Sequence, residues 1–187
     1  MKKLFVLFAV LFSMSVQAQT VKDFSLVNVV TGKPVSLATY PSCEGIVIIF
    51  TGNACPYDEY YRARITKLST DYQDKVPVLL VNAHTDPNES AESMIKKAQQ
   101  LGSIPYLADK DQTLMTALGA TKSPSVYLLK NNGGQFTIVY RGAIDDNAQV
   151  EADVHHQYLK DAIDIMLANQ SIATSEVRPV GCTIRKK

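Results

Sequence analysis

The feature that most constrains the fold is an uninterrupted apolar run, GIVIIF, at residues 45–50. Its β-branched residues, with no polar alternation, are typical of a strand that is buried on both faces of a sheet. In the segment that follows, residues 56–74, apolar residues recur at helical spacing: Tyr61, Ile65, Leu68 and Tyr72. A buried strand that passes almost directly into an amphipathic helix predicts an α/β domain built on a central sheet.

The rest of the chain continues this alternation. Residues 24–27 and 34–37 flank the turn pair Thr31-Gly32 and predict an N-terminal β-hairpin. Asp86, Pro87 and Glu89 have the order of an N-cap, a first helical position and a capping-box acid, so we expect a helix from there to about Leu101. The other predicted elements are a strand at 76–81, a short helix at 111–118, a hairpin of strands at 126–129 and 136–141, and a final helix at 153–167. The predicted fold is one α/β domain with a central mixed β-sheet and helices on both faces.

Residues 1–18 have the pattern of a bacterial secretory signal peptide. Lys2 and Lys3 precede an apolar run at residues 4–12, and Val16-Gln17-Ala18 is a small-residue cleavage site. The run is shorter than the ~20 residues that a spanning helix needs, so we expect cleavage after Ala18 and no stable insertion in the membrane. This predicts a periplasmic or secreted protein, with a domain at residues 19–170 and a tail at residues 171–187 that packs on it.

The charged residues are nearly balanced. Without residues 1–18, 17 basic residues stand against 18 acidic ones, which leaves a net charge of −1. This balance gives no electrostatic reason to expect a nucleic acid or an anionic lipid surface as a partner. The hydrophobic fraction of 46% also excludes a disordered chain.

Chemistry is expected at one of the three cysteines, which are Cys43, Cys55 and Cys182. Cys55 lies between the buried strand and its helix, and Pro56 suits the first helical position, so Cys55 is the predicted N-cap. The free backbone N–H groups and the helix dipole stabilise a thiolate there, whereas Asp58 and Glu59 in the first turn oppose it by charge repulsion. We therefore expect Cys55 to be a nucleophilic thiol; the alternative is an inert buried cysteine.

A family resemblance supports this position. GNACPY at residues 52–57 resembles the CNHCPY active-site stretch of the thioredoxin-like superfamily, among its peroxiredoxin-like (redoxin-domain) proteins. Four later stretches are similar in order and spacing: IPYL at 104–107, GAT at 119–121 leading into Ser123-Pro124, YRGAIDDN at 140–147 and VGCTI at 180–184. The resemblance implies a thioredoxin-like fold in which Ser123 and Pro124 form a cis-proline loop that faces Cys55 and binds substrate.

The chain also departs from the family pattern. Gly52 stands where the first active-site cysteine is expected, so Cys55 has no neighbouring thiol to resolve a mixed disulfide. The peroxidatic pattern P-x-x-x-T-x-x-C is broken too, because Ile48 and Gly52 occupy its Pro and Thr positions. A resolving thiol must therefore come from elsewhere in the chain.

Cys182 is the candidate resolving thiol, and two partners are open to it. A Cys43–Cys55 bridge is excluded, because a strand of about six residues holds them nearly 20 Å apart, beyond the ~4.4–6.8 Å Cα spacing of a disulfide. In a thioredoxin-like topology the tail begins at the Cys43 end of the sheet, which favours a structural Cys43–Cys182 bridge. The family's pairing of an active-site cysteine with a tail Gly-Cys supports Cys55–Cys182 instead, and about fourteen tail residues have the reach to span the domain. Of the two nearly equal alternatives we slightly favour the structural Cys43–Cys182 bridge.

Other polar residues give weaker signals. By the same topology Asp145 and Asp146 border the Cys55 pocket, unless they form a solvated capping loop. His84 follows the second buried strand, whereas His155 and His156 are neighbours on the predicted final helix and point apart. We therefore expect no metal site and no cofactor.

Three functions from different classes remain, the third of them, a copper-handling protein, being remote. The first is a thiol oxidoreductase with an antioxidant or redox-homeostasis role, in which Cys55 attacks a protein disulfide or a small peroxide and an unidentified reductant restores the thiol. The second is a redox-inactive thioredoxin-fold binding module that holds a partner over the Ser123-Pro124 groove. A copper-handling protein requires a second cysteine beside Cys55, which residues 51–54 do not provide. We expect the first function.

Overall fold

The computed structural model describes residues 19–187, and the predicted signal peptide at residues 1–18 lies outside them. The strands are β1 (Thr20–Val21), β2 (Leu26–Asn28), β3 (Pro34–Val35), β4 (Gly45–Phe50), β5 (Val78–Asn82), β6 (Tyr106–Ala108), β7 (Lys122–Ser123), β8 (Ser125–Asn132), β9 (Gln135–Gly142), β10 (Glu176–Val177) and β11 (Cys182–Thr183). The helices are α1 (Pro56–Tyr72), α2 (Ala91–Ala98), α3 (Thr113–Leu118) and α4 (Tyr158–Leu167).

The central sheet is mixed, as predicted. Its strand order is β1-β9-β8-β4-β5-β6-β2-β3, and β10 pairs with β9. At its centre β4 runs parallel to β5 and antiparallel to β8, and β2 and β3 form the predicted N-terminal hairpin at one edge. All six residues of β4 are buried, which confirms that the GIVIIF run is a strand covered on both faces.

Successive residues of β4 point to opposite faces, and each face has its own core. Val47 and Ile49 pack in a cluster with residues of α1, α2 and α4. Ile46, Ile48 and Phe50 pack in a second cluster with α3. Helices on both faces of the sheet confirm the predicted fold class. Within residues 19–187, none of the helices has the length and apolar composition to cross a bilayer.

The predicted helix at 86–101 is wrong in its first turn. Pro87–Glu89 is a single 3₁₀ turn, and α2 begins only at Ala91, with Ser90 as the N-cap that accepts from the backbone N–H of Ser93. The carboxylate of Glu89 is not a cap, because it is bonded to the loop before Cys55. The final helix likewise begins at Tyr158 rather than 153, and β6 had no prediction at all.

The tail, residues 171–187, crosses the domain along the edge of the sheet. β10 lies parallel to the end of β9, with Val177 opposite Gly142. This approach needs a glycine, because Gly142 has a φ of +127° and a Cβ there would overlap the carbonyl of Val177. The tail then reaches β7, and β11 pairs with it antiparallel, with Cys182 opposite Ser123. The tail therefore ends at the carboxyl edge of β4, not at the opposite end of the sheet.

Candidate functional site

Cys55 and Cys182 form a disulfide at the junction between β4 and α1. Cys55 is the N-cap of α1 and Pro56 is its first residue, as predicted. The two Cα atoms lie 6.0 Å apart, and the bridge spans 127 positions of the chain. Cys55 itself is 5% exposed, because the tail covers it. The site is thus a redox-capable cysteine pair joined from distant parts of the sequence.

The favoured Cys43–Cys182 bridge is wrong. Among residues 19–187 Cys43 is the unpaired cysteine, and its Sγ lies 3.1 Å from the carbonyl oxygen of Tyr40. Burial raises the pKa of the Cys43 thiol. The tail does begin near the Cys43 end of the sheet, but β10 extends along β9 and carries Cys182 to the other end. Strand pairing, which the tail sequence did not reveal, decides the partner.

The Ser123–Pro124 peptide bond is cis, and its loop touches the disulfide. The carbonyl oxygen of Ser123 lies 3.4 Å from Sγ of Cys55. On the other side, a Cβ at Gly181 would lie 2.2 Å from that same oxygen, so only glycine permits this approach of the tail. The loop therefore has the position that the resemblance implied, and its free edge is occupied by the chain's own strand β11.

Two carboxylates hold the loop that carries Cys55. The backbone N–H of Gly52 donates to Oδ2 of Asp58 at 2.8 Å. The N–H groups of Asn53 and Ala54 donate to Oε2 and Oε1 of Glu89 at 2.7 and 3.0 Å. Three successive donors are therefore bound by carboxylates, which orients the loop as it enters α1.

Asp58 is a buried acid three residues after Cys55. It is 2% exposed, and its Oδ1 has no hydrogen-bond partner among residues 19–187. Burial raises the pKa of Asp58 to about 7, even though the Gly52 N–H and the nearby Thr51 and Ser123 side chains favour the charged form. The expected charge repulsion at Cys55 is thus partly removed, since this acid is about half protonated near neutral pH.

The pKa of Glu89 is shifted in the opposite direction from that of Asp58. Burial opposes its ionisation, but hydrogen bonds from the loop N–H groups and from the side chain of Asn82 lower the pKa of Glu89 overall. Nδ2 of Asn82 donates to Oε2 of Glu89 at 2.7 Å, and the hydroxyl of Tyr106 donates to Oδ1 of Asn53 at 2.9 Å. Glu89 is therefore an anion at neutral pH that ties the loop to β5, while Tyr106 ties it to β6.

His84 fills the space beside Gly52. Its Nε2 lies 2.9 Å from the hydroxyl of Ser123, and burial lowers the pKa of His84, so the ring is neutral at pH 7. A Cβ at Gly52 would lie 3.0 Å from Cδ2 and 3.1 Å from Nε2 of this ring. The position where the family's first cysteine was expected is thus closed by an imidazole.

The comparisons with known proteins agree with this geometry. The Redoxin family model matches residues 17–157, which is more than half of the chain. The chain belongs to the Redoxin family. The thioredoxin-like resemblance and fold are thereby confirmed. No curated protein matches the sequence of this Redoxin domain.

Solved structures similar to this Redoxin domain span nearly all of it. An uncharacterized conserved protein from Geobacillus kaustophilus is 28% identical, with a TM-score of 0.82 over 91% of this chain and 92% of that one. A hypothetical protein from Sinorhizobium meliloti 1021 is 26% identical, with a TM-score of 0.80 over 89% of this chain and 92% of that one. A putative thiol:disulfide interchange protein DsbE from Chlorobium tepidum shares the fold at 16% identity, with a TM-score of 0.62 over 80% of this chain and 96% of that one.

Of the other polar residues that the sequence singles out, Asp145 has structural partners. Asp145 is buried and accepts from the hydroxyl of Tyr61 at 2.7 Å and from the guanidinium of Arg64. The histidines at 155 and 156 precede α4 instead of lying on it, which corrects that prediction. In the described part of the chain no three His, Cys, Asp or Glu side chains converge on a point where a metal ion would fit.

A groove lies beside the cis-proline. It encloses about 210 Å³ and is lined in part by Pro124, Tyr61, Asp145, Asp146 and Val180. Asp145 and Asp146 thus border the cis-proline loop, although the carboxylate of Asp145 already accepts from Tyr61, Arg64 and the backbone N–H of Asn147.

Sequence reasoning did not identify Glu89 or Gln112 as residues of this region. Glu89 had been assigned to a helix cap, and Gln112 carried no motif. The side-chain amide of Gln112 binds the tail, at Arg185 and Lys187. No local pattern reveals such a contact, because its partners are more than seventy positions away.

Proposed function

We propose that this Redoxin domain is a secreted or periplasmic thiol–disulfide oxidoreductase whose redox pair is Cys55 and Cys182. The observation that carries the proposal is the disulfide between these two residues against the Ser123–Pro124 loop. A pair of cysteines 127 positions apart replaces the local dithiol that Gly52 makes impossible.

The chemistry needs only these two sulfurs and two external thiol systems. In the reduced protein the Cys55 thiolate attacks one sulfur of a partner disulfide, which forms a mixed disulfide and releases the partner's first thiolate. The Cys182 thiolate then attacks Sγ of Cys55, breaks the mixed disulfide and releases the second thiolate. The product is the Cys55–Cys182 bridge, and a thiol reductant returns it to the dithiol with the transfer of two electrons.

A peptide disulfide suits the site better than a peroxide as the substrate. The edge of β7 already pairs with an extended segment of the tail, whose half-cystine lies opposite Ser123. The cis-proline loop thus already accommodates a disulfide carried by an extended segment of chain, although the tail itself occupies the edge of β7. The pattern of a peroxidatic site, in contrast, is broken at Ile48 and Gly52.

The location follows from the leader. A signal peptide at residues 1–18 delivers the domain to an oxidising compartment, where a redox-active dithiol requires a reductant of its own. N-terminal sequencing of the protein recovered from the bacterial periplasm or the culture medium tests cleavage after Ala18.

The central experiment is turnover of insulin disulfides with dithiothreitol as the reductant. We expect the mature protein to accelerate insulin reduction, Cys55→Ser to abolish the acceleration, and Cys182→Ser to accumulate the mixed disulfide, which mass spectrometry detects. Cys43→Ser is the matched control and should retain full activity, because Cys43 lies at the other end of β4.

Two results contradict the proposal. If hydrogen peroxide is consumed through Cys55 while insulin is not reduced, the substrate is a peroxide. If neither is turned over and the bridge resists thiol exchange, the domain is a binding module.

A further inference from the structure

The tail is attached to the domain on both sides of Cys182, not by the disulfide alone. Before Cys182, β10 pairs with β9, and Gly181 is in close approach to Ser123. After Cys182, the backbone N–H of Ile184 donates to the carbonyl of Thr121 at 3.0 Å, and the Ile184 side chain is 4% exposed in the core on the α3 side of the sheet. The disulfide is thus one contact among several.

The side chain of Gln112 binds the last residues of this tail. Its side chain is buried, its Nε2 donates to the carbonyl of Arg185 at 2.7 Å, and its Oε1 accepts from the backbone N–H of Lys187 at 2.9 Å. Nε2 also donates to the carbonyl of Ala83 at 3.0 Å, which fixes the amide to the end of β5. Both ends of one amide therefore bind tail backbone, independently of the tail side chains.

The backbone conformation at Gln112 indicates that its side chain has a specific role. Its φ of +58° lies in the left-handed region, which favours glycine or asparagine and costs other residues conformational energy. A longer polar side chain at such a position needs a compensating role, and the three hydrogen bonds of the amide provide one.

We infer that Gln112 is a positioning residue that keeps the tail docked, and Cys182 beside Cys55, after the disulfide has been reduced. The inference rests on the proposed function, because a docked Cys182 matters only when the bridge opens and closes. A docked thiol has a high effective concentration at Cys55, so the mixed disulfide is resolved within the same molecule. Docking and bridge formation support each other equally, since the two equilibria are thermodynamically linked.

The test compares amide hydrogen exchange at Ile184 in the oxidised and reduced proteins, in a Cys43→Ser background. Gln112→Gly removes the amide while suiting the left-handed backbone, and Gln73→Gly, at an exposed position after α1, is the control. In the reduced protein we expect Gln112→Gly to accelerate exchange at Ile184 about tenfold or more, as the loss of about two net hydrogen bonds implies. In the oxidised protein the bridge still holds the tail, so exchange at Ile184 should hardly change.

A redox measurement completes the test. The equilibrium constant for Cys55–Cys182 formation in glutathione buffers should fall in Gln112→Gly in proportion to the fraction of reduced molecules whose tail is no longer docked, and it should not fall in Gln73→Gly. Removal of residues 185–187 deletes the two tail partners of Gln112, though not Ala83, and should reproduce the Gln112→Gly values, with no further change when the two are combined.

Each other outcome overturns the inference. If Ile184 in the reduced parent protein exchanges as fast as an unstructured amide, the tail leaves whenever the bridge is reduced. If exchange at Ile184 is slow and equal in the two reduced proteins, and their glutathione constants are equal, Gln112 does not hold the tail. Failure of the proposed function is separate, because it appears as a lack of insulin turnover in the parent protein with all three cysteines, whatever the tail does.

Discussion

Asp58 should make the stability of this Redoxin domain fall with rising pH. Its carboxyl is almost fully buried, and burial raises its pKa to about 7 from an ordinary value of 3.8. The folded protein therefore retains a proton that the unfolded chain releases. Below pH 4 both states hold the proton, and the stability that goes with the raised pKa is fully present; it is lost as the pH rises through 7.

The magnitude follows from the shift. About three pKa units at ~1.36 kcal/mol each correspond to about 4 kcal/mol in total, of which about 2.5 kcal/mol is lost between pH 5 and pH 8. Asp58→Asn keeps an oxygen that accepts from the N–H of Gly52 and cannot ionise, so this part of the pH dependence should vanish.

The assay is urea unfolding of the oxidised protein at pH 5, 6, 7 and 8. The difference in unfolding free energy between Asp58→Asn and the parent protein should shift in favour of the variant by about 2.5 kcal/mol over this window. Asp74→Asn, exposed just after α1, is the control and should track the parent protein. Direct titration of the Asp58 carboxyl by carbon NMR gives the pKa without any variant.

A flat difference between the two proteins from pH 5 to pH 8 would refute the reasoning. So would an NMR titration that places Asp58 near 4, since the buried acid would then be charged throughout.

Three further predictions concern the loop and the bridge. Gly52→Ala should lower the free energy of unfolding by about 1–3 kcal/mol because its Cβ meets the ring of His84, and the added change His84→Ser should restore most of it in denaturant titrations. Glu89→Gln should cost about 1–3 kcal/mol at pH 7, because an amide NH₂ would face a loop donor. Since the pKa of Glu89 is lowered, that gap should close as the pH falls below 4.5, and a constant gap would contradict it. Cys182→Ser should lower the free energy of unfolding by up to about 5 kcal/mol, since the bridge spans 127 positions, and the melting temperature should fall with it. An unchanged melting temperature would show that the other tail contacts suffice.

The elements that repeat apolar residues locally were predictable from sequence. The GIVIIF run is β4, and Tyr61 and Ile65 lie on the buried face of α1, as their spacing predicts. Pro56 after Cys55 placed that cysteine at the N-cap. These predictions held because strand and helix periodicity is a property of neighbouring residues.

The errors share one cause, which is competition between local and distant partners. Glu89 follows Asp86-Pro87 at capping-box spacing, yet its carboxylate binds the N–H groups of Asn53 and Ala54, 35 or more positions away. The loop offers two donors to both carboxylate oxygens, whereas a cap offers one. Asp58 was likewise read as a charged first-turn residue, because burial is invisible in a local pattern.

By itself, the sequence determined the α/β class, the position of Cys55 between β4 and α1, and the need for a resolving thiol outside the loop. The family resemblance added the Ser123–Pro124 loop that faces it. Only the tertiary structure decided whether Cys182 supplies that thiol to Cys55 or pairs with Cys43. The pairing of β10 with β9 and of β11 with β7 directs the tail to the carboxyl edge of the sheet, so Cys182 meets Cys55 and not Cys43. Main-chain hydrogen bonds between short strands are nearly independent of side-chain identity, so their partners emerge only once the rest of the sheet has formed.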